Sequence, residues 1–242
     1  MTFTTYICDN YREMSQKAAS LTAGVISADR ESLISFPAGD TPLGMIEEFT
    51  GMVNSGEADI SRTRFISLDE WLSLGPDDEG SCAWFIQTRL LQKLKKPFLD
   101  TCIINGQAED PAAECGRIDA FIEENGPLDL SVLGIGLNGH LGFNEEGVDF
   151  KLGAHVNPLS DTTKSVMHKY FPKKHNLDYG ITQGLSQIMA AKQVILIASG
   201  VHKADILRRA LKGPVSPSVP ASILQKHQNL IVVADKDAAS AL

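Results

Sequence analysis

The stretch LDLSVLGIGLNGHLGFNEEG, residues 128–147, decides the fold. It opens as an apolar run and then breaks into Gly134, Gly136 and Gly139, with His140 directly behind them. Apolar runs of this length suit strands covered on both faces, and closely spaced glycines let a backbone turn sharply and approach a ligand. Five more runs of the same kind lie at 32–38, 64–68, 101–105, 193–199 and 229–235. Between them, apolar residues recur at helical spacing: Met14, Ala18, Leu21 and Val25; Cys82, Phe85, Ile86, Leu90 and Leu94; Cys115, Ile118 and Ile122; Ile206, Leu207, Ala210 and Leu211. This alternation predicts an α/β fold: one open, mostly parallel sheet with helices on both faces. The irregular region at about 146–178 contains Gly147, Gly153, Pro158 and Pro172 and reads as a lid within a single domain spanning 1–242.

With 242 residues, 43% hydrophobic and 21% charged, the chain is long enough for one large core and too ordinary in composition for disorder or coiled coil. A net charge of -8 gives no overall attraction to nucleic acid or an anionic membrane, so a small anion would need a local positive pocket. Four scattered cysteines, Cys8, Cys82, Cys102 and Cys115, form no CxxC pair and imply no zinc; Cys82 and Cys115 read as buried thiols. The N-terminal run has no apolar signal region and no segment is long enough to cross a membrane, which places the protein in the cytoplasm.

In an open parallel sheet, ligands sit beyond the carboxyl ends of the strands. Four strand ends are informative. After 32–38 come Gly39, Asp40 and Thr41, with Thr41 expected as the helix N-cap and Pro42 as the first helical residue, a turn suited to an anion. After 64–68 come Asp69 and Glu70, which an extended backbone points to opposite sides, so one of them faces a given ligand. The decisive stretch supplies His140 with Glu145 five residues on, a pairing suited to general acid-base work. Its GxGxxG is weak evidence for a dinucleotide, because the expected acidic residue on a following strand is missing. After 193–199 comes Lys203, expected near the start of a helix, where its charge opposes the helix dipole unless an anion neutralises it.

Together AGDTPLG, LDEW, GIGLNGHLGFNE, SGVHKA and VPASILQKH, in that order, resemble the glucosamine-6-phosphate deaminase (isomerase) family over nearly the whole chain. LDEW followed by GSCAWF leans toward its galactosamine-6-phosphate branch. The resemblance implies a Rossmann-like fold and conversion of a 2-amino-2-deoxyhexose 6-phosphate to the ketohexose 6-phosphate plus ammonia, without cofactor or metal. The class it implies is isomerase, deaminase and, because an imine takes up water, hydrolase. It further implies Asp69, His140, Glu145 and Asn138 as catalytic residues, and Gly39, Asp40, Thr41, Gly139, Lys169 and Lys203 as substrate- or phosphate-binding ones.

Lys169 stands where the family usually has arginine, with Lys164 as a competitor, and Glu146 replaces a usual proline. Allosteric residues are not matched around Val148, His155 and Asn157, which implies an unregulated monomer or loose homo-oligomer acting on a small molecule alone. Two rival readings are 6-phosphogluconolactonase, which follows its histidine with a different run, and a non-catalytic sugar-phosphate-sensing domain. The second lacks the basic DNA-binding segment such regulators carry.

Overall fold

Every residue of Ser32–Phe36 is buried. Leu33 packs into one core and Ile34 and Phe36 into another, because neighbouring side chains of a strand point to opposite faces. The same division holds for Phe65 and Ile66, Val132 and Leu133, and Ile195 and Leu196, which makes the sheet the partition between two apolar layers.

The computed structural model describes residues 3–26, 31–167, 169–171 and 175–242. In chain order its elements are β1 (Thr4–Cys8), α1 (Tyr11–Ile26), β2 (Ser32–Phe36), α2 (Asp40–Ser55), β3 (Thr63–Ser67), β4 (Asp69–Trp71), α3 (Cys82–Arg89), β5 (Asp100–Cys102) and α4 (Pro111–Asn125). There follow β6 (Leu130–Leu133), β7 (His155–Pro158), α5 (Asp161–Met167), β8 (Tyr179–Thr182), α6 (Leu185–Ala190), β9 (Val194–Ala198), α7 (Ala204–Lys212) and β10 (Leu230–Asp235). Seven strands form one sheet in the order β1-β10-β9-β6-β2-β3-β5, parallel at every pairing. Helices α1, α2 and α3 cover one face and α4, α6 and α7 the other, as their buried residues show. Phe36 makes edge contacts with Phe49 and Phe65, each at 5.5 Å between centroids, and anchors the first layer. A fully buried side chain of that size contributes about 2–3 kcal/mol.

From β2 the chain steps outward through β3 to β5, then returns to β6 on the other side of β2 and steps the opposite way through β9 to β10. The strand order therefore reverses between β2 and β6, and their carboxyl ends open a crevice there.

The single α/β domain agrees with the sequence reading, but several details differ. Strand β1 was not expected: its edge position leaves Thr4 and Thr5 exposed, so no apolar run marks it. Asp69 and Glu70 do not end β3. They begin β4, which joins β8 and β7 in a small antiparallel sheet, with Asp69 opposite Thr182. The region at 146–178 is thus partly regular, containing β7 and α5; its residues 168 and 172–174 lie outside the described residues. Helix α2 begins at Asp40 with Gly39 as N-cap, two residues earlier than the expected Thr41 cap and Pro42 start. Lys203 lies near a helix start, as expected: it ends a short 3-10 turn, Val201–Lys203, and is the N-cap residue of α7, without a side-chain capping bond. Cys82 is buried as expected, whereas Cys115 is only half-buried.

Candidate active site

A cavity of about 540 Å3 sits at the crevice between β2 and β6. The loops after β2, β6 and β9, the start of β4 and helix α5 wall it, bringing Gly39, Asp40, Thr41, Asp69, His140, Lys169 and Lys203 together. A second chamber of about 370 Å3 shares Asp69, His140 and Lys169 and runs on toward Trp71, Cys82 and Trp84.

At one end lies His140. Gly136 brings the backbone so close to its ring that a Cβ there would stand 2.3 Å from Nε2. No side chain is tolerated at that distance, which explains a glycine at this position. The ring's Nδ1 is 3.1 Å from the Thr163 hydroxyl and 3.4 Å from Glu145 Oε2. Thr163 donates its one hydroxyl proton to Glu145 Oε1, so toward His140 it can only accept. That assigns the proton to Nδ1 and leaves Nε2 for the cavity. Asn138 Nδ2 donates to Glu145 Oε2 at 2.7 Å and to Ser160 Oγ at 3.0 Å, and Ser160 donates to Thr163 at 3.1 Å. Burial raises the Glu145 carboxyl, but His140, Thr163 and Asn138 together outweigh it and hold the group at about 2. Glu145 and Asn138 do not line the cavity; they act on it through His140.

Asp69 is buried, and that burial pushes its carboxyl up to about 6 despite the opposing pull of His140 and a hydrogen bond from the Cys82 thiol. Its neighbour Glu70 turns away, as adjacent residues on a strand should, and accepts from the backbone N–H groups of Trp71, Cys82 and Ala83 at 2.7, 3.0 and 2.6 Å. Glu70 thereby ties the first turn of α3 to β4.

At the other end the first turn of α2 has no side-chain cap, and its N–H groups have no intrahelical acceptors. Tyr11, which the sequence reading missed, braces this turn: its hydroxyl donates to Asp40 O at 2.9 Å and accepts from Gly44 N–H at 2.8 Å. Lys203 donates to Ile135 O at 2.6 Å, and burial with repulsion from Lys169 lowers it to about 8. Lys169 pairs with Asp40 at 2.8 Å. Crowded cations over an uncapped helix start favour an anion. Lys164 pairs with Asp178 at 2.6 Å and does not line the cavity, whereas Lys169 does.

Gly139 does not stand where it was expected. With φ of +89° it turns the loop toward Val219 and Ile206, and a Cβ would meet Val219 Cγ1 at 2.7 Å. It shapes the turn from behind and does not line the cavity. Thr163 and Ser160, which complete the histidine network, went unrecognised. In SDTT, residues 160–163, the only local signal is that of a helix start. Among the described residues no group of three or more His, Cys, Asp or Glu is placed to hold a metal, and no helix is long and apolar enough to cross a membrane.

Residues 9–233 match the family model described as glucosamine-6-phosphate isomerases/6-phosphogluconolactonase. A glucosamine-6-phosphate deaminase of Clostridium perfringens is 37% identical, covering 98% of each chain. One from Lachnoclostridium phytofermentans is 38% identical over 93% of this chain and 95% of its own. A solved monomeric glucosamine-6-phosphate deaminase superposes with a TM-score of 0.93 at 32% identity, covering 99% of this chain and 100% of that one. The 6-phosphogluconolactonase of Trypanosoma brucei shares the fold, with a TM-score of 0.74 at 19% identity over 100% of this chain and 99% of that one. These findings correct the expected hydrolase class to deaminase and isomerase, the names its relatives bear. By sequence along nearly its full length, the chain belongs to the glucosamine-6-phosphate isomerases/6-phosphogluconolactonase family.

Proposed function

We propose that the protein converts a 2-amino-2-deoxyhexose 6-phosphate, glucosamine 6-phosphate or its galactosamine epimer, to the ketohexose 6-phosphate and ammonia. The observation that carries this reading is one cavity with a buried carboxylate and an oriented imidazole at one end and an uncapped helix start with Lys203 at the other. The phosphate binds at the α2 end, against the first-turn N–H groups, Lys203 and Lys169. That places the sugar's reducing end near His140 and Asp69.

His140 opens the ring by moving a proton between the anomeric hydroxyl and the ring oxygen through Nε2, while Glu145, held in place by Asn138 and Thr163, orients the imidazole. Asp69 then takes the C2 proton while the aldehyde oxygen takes up a proton to become the C1 hydroxyl, giving an enolamine, and Asp69 returns its proton to C1, which leaves a protonated imine at C2. Water adds to that carbon and ammonia departs. A carboxylate at about 6 is ionised near neutrality and yet basic enough to accept a carbon-bound proton from an activated substrate. Residues 146–178 act as a lid of the single domain, because α5 supplies Thr163 from that segment.

The reading extends to a cytoplasmic enzyme that works as a monomer or loose homo-oligomer, supported by the monomeric state named for the solved relative. The test is ammonia release from glucosamine 6-phosphate and galactosamine 6-phosphate, assayed side by side. Release from at least one is expected, and release from neither sinks the assignment. Turnover of 6-phosphogluconolactone instead would favour the lactonase named in the same family.

A further inference from the structure

The histidines of the described residues differ in how their rings are engaged. His140 bonds Thr163, His155 Nδ1 bonds Gly153 O at 2.9 Å, and His227 bonds Ala191 O and Asn229 N–H at 2.9 and 3.1 Å. His175 packs against the Phe171 ring at 4.8 Å between centroids. His202 has neither a ring hydrogen bond nor an aromatic stacking partner among the described residues, yet it lines the cavity beside Lys203, Ser199 and Gly39. Its ring lies against Gly200, where a Cβ would meet Cε1 at 2.8 Å, so the imidazole is seated at the cationic end of the site. The loop under it is anchored: Asp235 accepts from the Ser199 hydroxyl and from Gly200 N–H at 3.0 Å.

We propose that His202 is a third, titratable ligand for the anionic group at this end, gaining proton occupancy from solvent as the anion binds and donating to it. The proposal rests on reading this end as the phosphate seat. Lys203 on the same turn, Lys169 from the lid and Asp235 at the end of β10 are the charged groups that act on it. Burial and then the two lysines lower its pKa, against a weaker pull from Asp235. A bound dianion opposes the repulsion of the lysines and favours the imidazolium. Binding therefore strengthens as pH falls through the range between the empty and the occupied pKa values.

Sulfate is the probe, because it is a dianion that exchanges no proton near neutrality. Calorimetric titration at pH 5.5 and 7, in two buffers of different ionisation heat, reads both affinity and proton uptake. Lys203, at about 8, is charged throughout this range, and Asp69, at about 6, titrates alike in all the proteins compared. Wild type is expected to bind sulfate about fivefold more tightly at pH 5.5 than His202→Gln does, with a fraction of a proton taken up that the variant lacks. His202→Lys, which keeps the charge, should restore tight binding without that uptake. Equal pH slopes and equal uptake in wild type and His202→Gln overturn the proposal, as does failure of wild type to bind sulfate at pH 5.5. A protein that shows the sulfate response but deaminates no hexosamine phosphate would refute the activity and leave the anion ligand standing.

Discussion

The two ends of the cavity are built on opposite principles. Around His140 the polar groups satisfy one another: Asn138, Glu145, Ser160 and Thr163 form a closed set of hydrogen bonds, with Glu145 and Thr163 buried. Around α2 the helix start is uncapped, and Lys169, Lys203 and His202 crowd together with Asp40 among them. The first end is organised before substrate arrives, which suits proton transfers that demand fixed geometry. The second is incomplete without an anion, which suits binding. Damage at the first end should therefore appear in kcat, and damage at the second in KM.

The sharpest way to break the contrast is Asp69→Asn, which keeps the shape and removes the base. We expect kcat to fall about a thousandfold with KM little changed, measured by ammonia release. Because Asp69 must be ionised, wild-type kcat/KM should decline as pH drops below about 6, and a profile flat through that range would argue against it. Next in size is Lys203→Ala, expected to raise KM about fiftyfold while kcat changes far less, since a charge-assisted bond to phosphate is lost. The free-enzyme lysine loses its proton as pH rises past about 8, so wild-type kcat/KM should also fall on the alkaline side, and an unchanged KM in the variant would remove Lys203 from the site.

Thr163→Val tests the reach of the lid into the organised end. It leaves Glu145 and His140 without their shared hydroxyl, and about a tenfold loss in kcat is expected, with KM nearly constant. Lys169→Ala should have the smallest effect, about fivefold in KM, because its side chain is 48% exposed and already paired with Asp40. A larger change in kcat than in KM for Lys169→Ala would dissolve the division between the ends.

The parts visible before folding are those whose environment is written into local composition. Ser32–Phe36 and Val194–Ala198 are buried on both faces, so their apolar runs alone mark them as strands of a covered parallel sheet. His140 and Asp69 stand out because polar residues directly follow such runs. Strand β1 escapes notice since an edge strand needs no second apolar face, and β7 is half-exposed along most of its length. Thr163 carries no local mark of its role, because its partners His140 and Glu145 lie 23 and 18 residues away. Gly139 misleads for a related reason: a glycine in a turn looks the same whether the turn approaches a ligand or packs against Val219.

The sequence by itself determined the covered parallel sheet, the loops that meet at the cavity, and the family. These follow from short-range patterns of burial and from residue types in a fixed order. The tertiary structure alone decided that Asp69 and not Glu70 faces the cavity, that Lys169 and not Lys164 lines it, and that Thr163 joins His140 to Glu145. Each choice depends on which side chains meet across segments remote in the chain, and strand reversal, register and the packing of α5 settle that.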